Sequence, residues 1–354
     1  MKLYNVLVVG LAALTCFSDA QQSRRGGRSR GRQAAAQPAQ QAQPSRQQQG
    51  LTALIQTNRD NRPRRLVIKG AGGKDTVVYF DRSTEQDVSL NVSRVKLFFI
   101  QTPEDLVAAE RALTSGDLAA ARTQLAAVKD KYKGYVGLDR NPSTRAAMLE
   151  IECAVRQLDF AGLNQLVNSF PHPEWLSTTE VATYMAAKIL AKAMNGAALA
   201  DIEADVKKLL DSEPGKTLNS SCYGWLQFAI AHAMASAVPA EEIAGTISEG
   251  NLAAANNAIN AYCRAGLSSH GRDMELPVQA MIRAQAMLWA MPGVKEYAAR
   301  GAGMDAAKWN GAPANFRDAV ALAYMIKNVF GGTSETVEAA AKLYFNSQAG
   351  RGGE

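Results

Sequence analysis

The segments of this chain whose residue types and spacing could do chemistry are two glycine-rich runs, three histidines and the cysteines. Gly70-Ala71-Gly72-Gly73-Lys74-Asp75 sets a lysine behind paired glycines after an apolar stretch, the outline of a phosphate-cradling loop. Such a loop needs Gly-x-x-x-x-Gly-Lys-Ser/Thr opening a helix whose first amides face the phosphate. Here position 68 is Ile, position 75 is Asp, and Thr76 to Phe80 reads as a strand, so a hairpin turn is expected instead. Gly27-Arg28-Ser29-Arg30-Gly31 spells the hydrolase elbow, yet without a strand before it or a helix after it Ser29 is not presented for attack.

His172 lies between two prolines, His232 on an alanine-rich helix and His270 in a Ser/Gly loop. None belongs to His-Glu-x-x-His or stands beside a cysteine pair at zinc spacing, so packing and capping roles are expected and no metal site is assigned. Removal of a leader would leave Cys153, Cys222 and Cys263, an odd count that permits one internal bridge at most. Cys222 with Cys263 is the candidate pair, but all three sit on apolar helical stripes, which favours small buried thiols. The carboxylates are spread over helix faces as solvated surface, and no pair at glycosidase separation is identifiable. A noncatalytic protein without a cofactor is therefore expected.

The elements that would position these residues begin after a leader and a polar tail. Met1-Lys2, the apolar run Val6 to Leu14 and Ser18-Asp19-Ala20 have the form of a secretory signal over residues 1–20, with export as its consequence. The apolar run is short for crossing about 30 Å of hydrocarbon. Cys16 lacks a lipobox before it, so lipidation is not expected. Between 21 and 50 there are six Arg, no acid and no aromatic, which accounts for the chain's net charge of +6 and leaves the body near neutrality. Residues 21–61 are thus expected to be a disordered Arg/Gln-rich linker. Without stacking rings it is a poor nucleic-acid arm, and weak salt-sensitive contact with an anionic envelope polymer or lipid suits it better.

Residues 62–101 alternate β-branched and aromatic runs with Gly and Asp clusters, which predicts a small three-stranded β-module too small to stand alone. From 102 to 348 apolar residues recur at helical spacing: Leu118, Ala121, Leu125, Val128 and Tyr132 form one stripe, Met148, Ile151, Val155 and Leu158 another, and Leu218, Cys222, Trp225, Ala229 and Ala233 a third. Helix starts near Pro103, Pro142, Thr178 and Leu218 recur at a period of roughly 40 residues, the spacing of helix pairs in an α-solenoid. Residues 349–354 read as a flexible tail.

Gly116-Asp117-Leu118-Ala119-Ala120-Ala121 followed by Leu125 and Val128 resembles the second helix of a tetratricopeptide repeat, and Leu158-Asp159-Phe160 with Leu163 and Val167 echoes it. The Trp-Leu-Gly-Tyr pattern of the first helix is absent, and the units become irregular beyond residue 250. The whole layout is similar to exported repeat proteins of Verrucomicrobia and Planctomycetes. The resemblance implies a mostly α, TPR-like α-solenoid behind the β-module, located in the periplasm or cell envelope. It further implies a scaffold that binds another protein through its helical groove; nucleic acid is not expected as a partner, because the tail lacks stacking rings and the chain is expected to be exported. Partner contacts would then fall on Arg145, Leu149, Glu152 and Arg156 in the second unit and on Tyr184, Lys188 and Lys192 in the third. Two further readings stay open: an envelope spacer or cell-wall binder acting through the Arg-rich tail, and, ranked last, a helical-toroid enzyme acting on glycan or peptidoglycan.

Overall fold

A computed structural model describes residues 50–59, 61–81, 83–268, 274–300 and 311–328. The segments read as signal peptide, as linker up to residue 49 and as the 349–354 tail lie outside the described residues, as do Cys16, Ser29 and His270. The described chain is mostly helical, with one antiparallel sheet ahead of twelve described helices.

The sheet has five strands rather than three: β1 (Leu51–Gln56), β2 (Arg64–Gly73), β3 (Thr76–Asp81), β4 (Gln86–Asn91) and β5 (Leu97–Ile100), in the order β4-β3-β2-β1-β5. β1 lies inside the stretch expected to be linker. Its alternation Leu51, Ala53, Ile55 is only three apolar residues long and follows a glutamine-rich run, so the surrounding composition conceals it. β2 and β3 close at Gly73↔Thr76 across Lys74-Asp75, with Asp75 at φ 55, which is the expected hairpin.

The inner face of the sheet shares one core with the first three helices, α1 (Glu104–Ser115), α2 (Leu118–Lys131) and α3 (Pro142–Arg156). Ile55, Ile68, Val77 and Ile100 pack with Leu106, Leu113, Leu125, Val128 and Leu149. Burying one face against helices supplies what a marginal sheet lacks by itself. The helix starts are written locally: Asp117 caps α2 through the Ala120 amide at 3.1 Å, and Asn141 caps α3 through Thr144 at 2.8 Å with Pro142 in the first turn. Next come α4 (Phe160–Asn168), α5 (Thr178–Met194), opened by a capping box between Ser177 and Glu180, and α6 (Leu199–Leu210).

α7 (Ser220–Ala235) is apolar on nearly every side and buries Trp225, Leu226 and Phe228 among α5, α6 and α9 (Leu252–Ser268). The short α8 (Ala240–Ala244) precedes α9, and α10 (Glu275–Trp289), α11 (Val294–Arg300) and α12 (Ala314–Asn328) follow it. The stripes read from sequence are buried at Ala121, Leu125, Val128, Ile151, Val155, Trp225 and Ala229. α10 also returns to α3, where Glu275 meets Arg156 across 119 residues of sequence. A strictly nearest-neighbour array makes no such contact.

Candidate functional site

The hairpin tip, the loop after α2, α3 and the turn after α4 enclose a cleft of about 650 Å³, within the range of small-ligand sites. Backbone contacts fix its walls. Tyr135 is buried, its hydroxyl donating to the Ile68 carbonyl at 3.1 Å and accepting from the Leu51 amide at 3.3 Å, so one side chain ties β1 and β2 to the loop. The Asp75 amide donates to the Gly137 carbonyl at 3.0 Å. Gly137 has φ 100, and a β-carbon there would stand 3.0 Å from the Trp175 ring and 3.1 Å from the Gly73 carbonyl oxygen.

The cleft's chemistry comes from paired charges and a ring wall. Glu150, with a side chain only 5% exposed, is ion-paired with Lys129, whose carbonyl accepts from the Ser143 hydroxyl at 2.9 Å. Lys133 pairs with Asp130 at 2.9 Å. His172 is held left-handed at φ 49 between Pro171 and Pro173 and stacks on Trp175 with centroids 3.8 Å apart and planes 9° from parallel. Its Nδ1 lies 3.0 Å from Glu174, whose carboxyl is held below its ordinary range by its own amide first and the imidazole second. The His172–Trp175 stack also lines a smaller chamber of about 220 Å³ with Lys74, Arg140 and Glu180. Both carboxylates of the large cleft are engaged by lysines and its buried hydroxyl by a carbonyl. The arrangement therefore suits noncovalent binding of a polar ligand.

The seven residues expected to meet a partner divide between two other depressions and the interior. Arg145, bonded to Glu110 at 3.1 Å, lines a groove of about 450 Å³ with Leu149 and Glu152. Lys188 and Lys192 are exposed and rim a groove of about 600 Å³ among α4, α5 and α6, where Lys192 meets Asp205 at 2.7 Å and its ammonium is held above its usual range by that bond. Arg156 and Tyr184 are instead buried, a correction to the solvent-facing stripe, and Leu149, although it borders the first groove, is buried as well. Arg156 donates to the Leu113 carbonyl at 2.9 Å, and Tyr184 donates to the Val167 carbonyl at 2.9 Å. A stripe adjoining the core stripe becomes interior when the helix has neighbours on both sides, and α3 packs against α1, α2, α4, α5 and α10. Sequence reasoning did not join Lys129, Glu150, His172 and Trp175, which come from separate elements. The Pro171-His172-Pro173 triplet was the one local signal.

His232 of α7 packs against Tyr262 of α9 and Arg283 of α10. Its Nδ1 accepts from Arg283 at 2.8 Å, Tyr262 stands 3.5 Å from the same nitrogen, and the guanidinium lies 5.1 Å over the Phe228 ring. Burial first and the Arg283 charge second bring its pKa down from 6.5 to about 4. The unfolded chain therefore binds a proton that the folded chain refuses, so the stability due to neutral His232 is complete above pH 6.5 and is lost as pH falls toward 4. Urea unfolding should show about 2 kcal/mol less stability at pH 4.5 than at pH 7.5 from this residue. His232→Asn, which keeps an acceptor, should flatten that limb, and an unchanged pH slope would reject the assignment.

Cys153, Cys222 and Cys263 are buried, and no disulfide joins them. Burial pushes the Cys263 thiol up to about 12 and raises Cys153 as well, conditions that make thiols inert. Among the described residues no group of three or more His, Cys, Asp or Glu could hold a metal ion, and no helix is long and apolar enough to cross a membrane. No family model, curated protein or solved structure matches the chain.

Proposed function

We propose that this protein is a noncatalytic exported scaffold that binds a protein partner in a groove between TPR-like helical hairpins, as part of a bacterial envelope complex. The observation that supports this reading is the groove among α4, α5 and α6. Its floor is apolar, from Val167, Ile189 and Ala197, and its rim is polar, from Asn164, Asn168, Lys188, Lys192 and Asp205. An apolar floor inside a polar rim is the composition that holds an extended or helical segment of another chain. The exposed Lys188 would choose partners by charge.

A photo-crosslinking residue at position 168, on the same rim, should capture one envelope protein, and the yield should drop at least tenfold with Lys192→Glu, while the same probe at exposed Glu85 captures none of it. Equal capture from both positions would reject the groove. The cleft of about 650 Å³ favours a second reading, in which a small polar ring-bearing ligand lies against the His172–Trp175 stack. Its binding would change tryptophan fluorescence in the parent chain and not in Trp175→Phe.

A further inference from the structure

We infer that two copies of this chain associate through the edge of β5 that no described strand covers, extending their sheets into one. Two of the most exposed large apolar side chains, Leu97 at 39% and Phe99 at 40%, lie on the outer face of this edge strand, and Val67, at 36%, lies on the same face two strands away on β2. Leu54 of β1 lies beside Phe99 on that face. The opposite edge, β4, turns Asp87, Ser89 and Asn91 outward, the polar dressing that discourages strand addition.

The ladder sets the phase of the free backbone groups. The Gln101 amide donates to the Thr52 carbonyl at 2.9 Å, in register with Ala53↔Ile100 and Leu54↔Phe99. Antiparallel alternation then turns the amides and carbonyls of Leu97 and Phe99 toward β1 and those of Phe98 and Ile100 away from it. A second copy running antiparallel can satisfy them best with Phe98 opposite Ile100 of the other copy, because each such pair then exchanges both its bonds. That register puts the two Phe99 side chains directly opposite each other, the close pairing that aromatic residues favour.

The charges match in the same register. Arg94 and Lys96 precede the strand and Glu104 follows it, all three exposed. Antiparallel pairing brings the basic end of each copy's strand toward the acidic end of the other's. The apolar patch, the backbone phase and the charge order therefore name the same occupant, a second copy.

Sedimentation equilibrium of the full chain from low micromolar to several hundred micromolar should show a rising dimer fraction. Phe99→Lys, at a half-exposed position with no role in the core, should raise the dimer dissociation constant by about tenfold or more by opposing like charges. The register is tested by oxidative crosslinking of Phe99→Cys in a Cys16→Ser background, the other thiols being buried. Phe99→Cys should give a disulfide-linked dimer, and Ser89→Cys on β4 should not. Monomer at every concentration, dimerisation of Phe99→Lys equal to the parent, or equally fast crosslinking at position 89 would each overturn the inference. Lys192→Glu should leave the dimer unchanged, which separates this result from the fate of the partner groove.

Discussion

Arg156→Ala is expected to lower the unfolding free energy by about 3 kcal/mol, because it removes a buried charge-assisted hydrogen bond together with the packing of the side-chain stem. Arg156 is 6% exposed. It ends α3, its Nη1 reaches the Leu113 carbonyl near the end of α1 at 2.9 Å, and its Nε lies 3.5 Å from Glu275 in the first turn of α10. One positive charge thus sits at the negative ends of two helices and beside a carboxylate at the positive end of a third, the favourable placement at all three. Glu275 stays about one-third exposed and can be solvated when its partner is lost, which keeps the cost below that of a fully buried orphan.

Arg156→Met, which restores the stem without the charge, should recover about 1 kcal/mol of the loss. Urea midpoints with unchanged slopes would measure both. A loss under about 0.5 kcal/mol for the alanine variant would mean that Arg156 behaves as a surface residue and that the closure of α10 onto α3 is wrong.

Gly137→Ala should be nearly as severe, again about 3 kcal/mol, for two independent reasons. Alanine is strained at φ 100, and its β-carbon would meet the Trp175 ring at 3.0 Å and the Gly73 carbonyl oxygen at 3.1 Å. Neither neighbour moves freely, since Trp175 is stacked on His172 and Gly73 ends the strand before the hairpin tip, whose Asp75 amide is bonded to Gly137 itself. Relief would have to come from lifting the hairpin, which opens the cleft. Gly134→Ala is the control in the same loop, where a β-carbon meets nothing within 4 Å, and its effect should stay within about 0.5 kcal/mol. Tryptophan fluorescence should report the displaced ring in the first variant and not in the second. Matching stability losses would remove the close approach as the explanation.

Helix existence and phase were legible because they are local. Pro142 in a first turn, Ser177 with Glu180, Asp117 before Leu118, and the repeats Ala121-Leu125-Val128 and Ile151-Val155 each encode their outcome within a turn or two of chain. The Lys74-Asp75 turn was legible for the same reason. β1 was not, because a six-residue strand following a glutamine-rich run carries little signal until β2 and β5 are placed on either side of it.

The sequence by itself therefore determined a helical chain behind a small sheet, and it placed the three histidines in three separate local settings. Tertiary structure alone decided that Leu149, Arg156 and Tyr184 turn inward, that α10 closes onto α3, and that Lys129, Glu150, His172 and Trp175 share one cleft. Periodicity states which face of a helix is apolar, while the number of neighbours that cover a helix depends on contacts between residues up to 119 positions apart, and no local pattern carries that information.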